Sequence, residues 1–167
     1  MADDDNCNGF SLGDATLTPL KTYLKKQAKK HHTRHLARTF VIVEEGKNTI
    51  LAYASVLCTQ IRAEVVEGEP DFPYTDYPAL KLARLAVDHR YQKRGIGDVL
   101  VNFILSMARD QIMPHAECRF LVLDAKPGSV KFYERKGFSK IGEIPDGDAP
   151  LTSMFVDLYK IKDAEPA

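Results

Sequence analysis

The segment with the clearest chemical content is Gln92-Lys93-Arg94-Gly95-Ile96-Gly97, followed by Asp98. Two glycines let backbone N–H groups approach a ligand, because no Cβ stands in the way. Beyond them Val99, Leu100, Phe103, Ile104 and Met107 step by one, three, one and three. That periodicity predicts an amphipathic helix of about 14 residues. A helix start carries unpaired donors and roughly half a unit of positive charge, which suits a phosphate. Arg90, Lys93 and Arg94 add charge beside it. Taken alone, Gly-x-Gly also serves a tight turn with two packing glycines. It lacks the third glycine of the dinucleotide fingerprint and the Gly-Lys-Ser/Thr end of a P-loop. Asp98 must either point away from a bound anion or serve the helix start.

Other reactive residue types form no site by spacing. Cys7, Cys58 and Cys118 are odd in number and lack a C-x-x-C pattern, so three reduced thiols in a cytoplasmic protein are expected. His31 and His35 are four apart, but no cysteine or carboxylate completes a set, and no metal is expected. Residues 15–43 hold seven Lys or Arg and no acid: Lys21, Lys25, Lys26, Lys29, Lys30, Arg34 and Arg38. Such a run is either a solvated helix face or a surface for a polyanion.

These residues need a fold to place them. The chain has 167 residues, 23 basic and 23 acidic, with net charge zero. The length supports one domain that buries about two-thirds of its unfolded surface. Zero net charge removes the simplest argument for nucleic-acid binding and leaves only local patches. An apolar share of 44% argues against a disordered chain. The acidic N-terminus does not read as a signal peptide, and the longest apolar stretch, 49–61, is too short for a bilayer, so no membrane partner is expected. Leu17, Leu20, Leu24 and Ala28 predict a basic helix over 17–31. Strands are expected at 39–43, 50–61, 80–87, 120–123, 140–143 and 154–159, and a short helix at 130–136. Residues 64–79, acidic and proline-bearing, are expected to be irregular in most of their length. The order predicts an α/β mixed sheet covered on both faces. The expected organisation is a flexible 1–13, one domain over 14–160 and a flexible tail over 161–167.

Gln92 to Gly97 resembles the Q/R-x-x-G-x-G/A signature of the GCN5-related N-acetyltransferases (GNAT). Arg84-Leu85-Ala86-Val87 resembles that family's coenzyme strand. Asp124-Ala125 and Phe132-Tyr133-Glu134-Arg135-Lys136-Gly137-Phe138 resemble its late strand and its F-Y-x-x-x-G-F element, in the family's order, over about residues 36–159. The resemblance implies the GNAT fold: a mostly antiparallel sheet with one splayed parallel pair and helices on both faces. It implies acetyl-CoA as acyl donor. The pyrophosphate would sit on Gln92, Lys93, Arg94, Gly95, Ile96, Gly97 and Asp98, and the pantetheine arm along Leu85, Ala86 and Val87. By the same resemblance Tyr133 is the acid for the leaving thiolate, and the backbone N–H of Val87 is the oxyanion donor. No residue is assigned as general base.

The resemblance implies a primary amine as acceptor, and two substrate classes are compatible with the sequence. The acidic stretch Glu64, Glu67, Glu69, Asp71 suits a small or peptide amine carrying positive charge, which is the favoured expectation. Gly9 to Gly13, Leu24, Ala28 and Arg38 to Val41 resemble instead the toxin branch of the family, which acetylates aminoacyl-tRNA and is held by an antitoxin protein. In that reading Lys25, Lys26, Lys29 and Lys30 contact tRNA phosphates. Leu12 and Ala52-Tyr53-Ala54 depart from the branch's usual cysteine and G-Y-Y pattern. A homodimer is compatible with either reading. A non-catalytic acyl-CoA or RNA binding protein is the third alternative, and the intact Gly95, Gly97 and Tyr133 count against it.

Overall fold

The computed structural model describes residues 1–2, 5–66, 74–147 and 149–161. Six strands run β1 (Arg38–Val43), β2 (Ile50–Arg62), β3 (Asp76–Val87), β4 (Phe120–Ala125), β5 (Ser139–Ile144) and β6 (Leu151–Asp157). The helices are α1 (Thr18–Lys26), α2 (Ala28–Thr33), α3 (Ile96–Met107), α4 (Met113–Ala116) and α5 (Val130–Glu134). The strand order is β1-β2-β3-β4-β6-β5. Of its neighbours, β3 and β4 are parallel, while β1/β2, β4/β6 and β5/β6 are antiparallel. The chain forms two compact units, residues 1–57 with 82–103 and residues 58–81 with 104–167.

In the first unit Phe40 pairs with Ala54 and Val41 with Tyr53. Successive strand residues face opposite sides, so this register sorts the helices. Tyr53 and Val41 pack in a core with Tyr23, Leu24 and Ala28 of α1 and α2. Phe40 instead meets Phe103 of α3, ring centroids 5.1 Å apart. The two helical layers therefore cover opposite faces of this part of the sheet, as expected.

The expected fraying of 1–13 does not hold for residues 6–12. Phe10 and Leu12 are buried in the same core, and the Asn6 N–H donates to the Asn48 carbonyl at 2.8 Å. Burial of two large apolar side chains, about 1.5–3 kcal/mol each, together with the bonds that tie Asn6 to Asn48 and Ile50 and Ser11 to Asp88, offsets much of the cost of ordering the segment. The expected helix over 17–31 is interrupted. Gln27, with φ −124°, leaves the helical well between α1 and α2, although its N–H still reaches the Tyr23 carbonyl at 2.9 Å.

In the second unit β3 begins at Asp76 rather than at 80. Pro78 is exposed within it, immediately before the parallel ladder that runs from Ala79↔Phe120 to Lys81↔Val122. The proline lies outside that parallel ladder, which needs no N–H from it. Ile61, Val66, Ala79, Phe120 and Val122 form a core with Tyr77, Ile141 and Phe155 around them. Glu67, Glu69, Asp71 and the tail beyond Ile161 lie outside the described residues. Among the described residues no helix is long and apolar enough to cross a membrane.

Candidate active site

In the first unit the loop after β3 is built on a buried carboxylate. Asp88 is fully buried and caps the turn His89–Tyr91 by accepting the Arg90 N–H at 3.0 Å. It also accepts Arg90 Nε at 2.8 Å, Arg90 Nη2 at 2.9 Å and the Ser11 N–H at 3.0 Å. Burial pushes this carboxyl upward, but the Arg90 guanidinium and the two N–H donors outweigh it and hold it at about 2. Sequence reasoning missed Asp88 as an anchor. It also placed Arg90 among the phosphate cations, whereas its guanidinium is engaged by Asp88 and by the Gly9 carbonyl at 3.2 Å.

The strand end is held by two further bonds. The Asp88 N–H donates to the Leu51 carbonyl at 2.8 Å, and Gln92 Nε2 donates to the Val87 carbonyl at 3.0 Å. Gln92 thus fixes the last residue of the Leu85-Ala86-Val87 segment. Ala86 is buried in the core under α1, while Leu85 and Val87 are half-buried. Lys93 (φ 58°) and Gly95 (φ 78°) adopt left-handed backbone, which turns the chain sharply into α3. A Cβ at Gly95 would meet nothing within 4 Å, so the helix start opens on free space. Lys93 and Arg94 are exposed beside it, and Arg94 lies 5.6 Å from the Tyr91 ring centroid. Asp98 is partly buried and has an interaction of its own. This loop can hold an anion: donors at a helix start, two exposed cations and no Cβ in the way.

The basic surface belongs to the same unit. Lys25, Lys26, Lys29 and Lys30 are all exposed. Lys25 Nζ donates to the Asn8 carbonyl at 2.9 Å, so part of its work is to fasten the N-terminal segment.

Tyr133 stands in the second unit, on α5. Its ring is buried and meets Phe132 and Phe138 edge-on at 5.0 and 5.7 Å. Burial pushes its phenol up to about 12. The Tyr133 carbonyl accepts from the N–H groups of Lys136 at 2.9 Å and Phe138 at 3.1 Å, and Gly137 between them has φ 86°. The F-Y-x-x-x-G-F element is therefore a one-turn helix with a glycine stop, which sets Phe138 under Tyr133. In the same unit Asp124 is bonded by Lys81 and accepts Ser153 Oγ at 3.1 Å. Among the described residues no group of three His, Cys, Asp or Glu is placed to hold a metal.

The first unit thus carries a left-handed loop that feeds a helix start after a strand, and the second a capped F-Y element on a late helix. The sequence profile of the acetyltransferase (GNAT) domain matches residues 12–148, and the chain belongs to that family. It is 33% identical over 104 residues to the "tRNA-acetylating toxin" of Mycobacterium tuberculosis, a match covering 60% of this chain and 58% of that protein. The matched part is thus less than two-thirds of the relative's length. Two solved structures share the fold. AtaT complexed with acetyl-methionyl-tRNAfMet has TM-score 0.77 and 18% identity over 90% of this chain and 88% of that one. A Tyr-to-Phe mutant of AtaT, bound to the C-terminus of the antitoxin AtaR and acetyl-CoA, has TM-score 0.73 and 16% identity over 95% and 91%.

Proposed function

We propose that this chain transfers the acetyl group of acetyl-CoA to the α-amino group of an aminoacyl-tRNA. The carrying observation is its 33% identity to a tRNA-acetylating toxin. The basic surface of α1 and α2 supports it, because polyanion contacts need local rather than net charge. The expectation of a small cationic amine rests on the acidic stretch, of which only Glu64 is described, and that carboxylate lies 3.7 Å from Arg62. The relative therefore outweighs it.

In this reading acetyl-CoA supplies the acyl group as a thioester. The open helix start at Gly95 and the donors of its first turn hold the pyrophosphate, and Leu85–Val87 align the acyl arm. The amine nitrogen forms its bond to the acyl carbon as the C–S bond breaks. The N–H of Val87 stabilises the developing oxyanion. Tyr133, neutral at physiological pH, delivers its proton as the thiolate forms, and the amine loses its own to solvent. A protein antitoxin is the corresponding partner, by likeness to the AtaT complex.

The test is purified chain with acetyl-CoA and, in parallel, charged tRNA, spermidine and lysine peptides, read by mass spectrometry. The expected product is an acetylated aminoacyl ester. Acetylation of spermidine or peptide with none of charged tRNA would overturn the reading.

A further inference from the structure

Arg84 lies on β3 directly before Leu85–Val87. Its guanidinium carbon stands 3.7 Å from the centroid of the Tyr23 ring, well inside cation–π range. Tyr23 is itself fixed: it stacks on Tyr53 at 6.3 Å and meets His31 edge-on at 5.5 Å. Tyr53 is locked in turn by its hydroxyl donating to the Leu20 carbonyl at 2.7 Å. The guanidinium thus rests on a rigid aromatic floor.

Arg84 is half-buried, yet among the described residues no carboxylate or carbonyl takes its N–H groups. Arg90 and Arg119 differ, their forks being filled by Asp88 and by Asp157 at 2.9 and 2.7 Å. A partly desolvated cation with unmatched donors is unfavourable until an anion meets it. Among the described residues none meets it. Asp88 is already saturated, and α1 and α2 carry no acid. Stacking leaves the edge of the guanidinium free, which matches the paired oxygens of a phosphate.

We propose that Arg84, stacked on Tyr23, binds the 5′-phosphate of the acceptor's terminal nucleotide and so presents the aminoacyl amine to the segment Leu85–Val87. This rests on the aminoacyl-tRNA reading. Arg84 is one residue from the strand segment assigned to the acyl arm, so an anion it holds must be covalently close to the amine. In an aminoacyl-tRNA the phosphate nearest the amine is the one on the terminal nucleoside. The Tyr23 hydroxyl is buried without a partner among the described residues, so the ring face is what Tyr23 contributes.

The experiment uses two small acceptors, 3′-O-aminoacyl adenosine with and without a 5′-phosphate. The parent should show kcat/KM at least tenfold higher for the phosphorylated acceptor. Arg84→Met should bring that ratio near one by raising KM for the phosphorylated acceptor, with the other acceptor and acetyl-CoA affinity unchanged. Arg84→Lys, which keeps the charge without the fork, should lower the ratio several-fold, and it serves if Arg84→Met does not fold. Tyr23→Phe should keep the parent ratio. Equal use of both acceptors by the parent, or a parent-like ratio in the Arg84 variants, overturns the proposal and leaves the aminoacyl-tRNA reading standing. Acetylation of neither, with spermidine or peptide accepted, overturns both.

Discussion

Asp88 and Arg90, two residues apart, form a closed fork in which each carboxylate oxygen takes one guanidinium N–H, at 2.8 and 2.9 Å. The pair organises the turn between β3 and α3, and Ser11 ties it to the N-terminal segment at 3.0 Å. Asp88→Asn should therefore loosen the loop from both sides. We expect a loss of about 2–3 kcal/mol of stability, below the full figure for a buried pair because Arg90 is half exposed, and about tenfold weaker acetyl-CoA binding by calorimetry. The pH dependence has a definite sign. The folded carboxyl sits at about 2, below its ordinary 3.8. Its stabilisation is thus present above about pH 4 and lost as pH falls toward 2. The melting-temperature gap between parent and variant should close over that window. A constant gap would count against the assignment.

Gly95 combines a left-handed backbone with open space where a side chain would project. Gly95→Ala should cost about 1 kcal/mol from the backbone alone. Gly95→Glu should add a like charge where the pyrophosphate is proposed to sit and weaken acetyl-CoA binding by more than tenfold. Unchanged affinity in a folded Gly95→Glu protein would remove the loop from the site.

Tyr133→Phe should retain acetyl-CoA affinity and lose roughly 10²–10⁴ in single-turnover rate, the range for a positioned acid. The raised phenol, about 12, has its own signature. Its stabilising effect is complete below pH 10 and is lost as pH rises through 12. Alkaline unfolding of the Phe variant should begin at higher pH than that of the parent. Parent-like turnover would return Tyr133 to packing between Phe132 and Phe138.

Lys26 and Lys30 are exposed at i and i+4 across the break at Gln27. If they touch tRNA phosphates, Lys26→Glu with Lys30→Glu should weaken charged-tRNA binding and flatten the log K against log salt slope by about 2. Acetyl-CoA affinity should not move. A slope equal to the parent's would mark the pair as a solvated face.

Much of this architecture can be read along the chain. β-Branched and aromatic content located β1, alternation located the end of β3, and the apolar steps after Gly97 located α3, because each presses apolar residues into a core. The glycine loop and the F-Y element were legible for the same reason: each requires particular residue types at fixed spacing. What escaped was pairing across distance. Nothing local marks Asp88 as the partner of Ser11, and nothing in Arg84-Leu85-Ala86-Val87 reveals that the guanidinium folds back onto Tyr23. The burial of Phe10 and Leu12 was hidden likewise, since their polar neighbours read as a frayed end until the core that receives them is assembled. The acceptor was the least legible, because charge runs look alike whether they face water or RNA.

The tie between Ser11 and Asp88 spans 77 positions, and it has a consequence during synthesis. The first dozen residues leave the ribosome long before the turn they fasten exists. Until Ala86 and Asp88 emerge, Phe10 and Leu12 have only part of their receiving core, and the loop before α3 has no anchor. If the loop holds the pyrophosphate as proposed, acetyl-CoA binding must wait until the turn is made. The same stitch makes this end a poor place for trimming: cutting back to Leu12 would remove Ser11, Phe10 and the Gly9 carbonyl that Arg90 uses, so damage at the beginning of the chain would register at the cradle, more than seventy residues away.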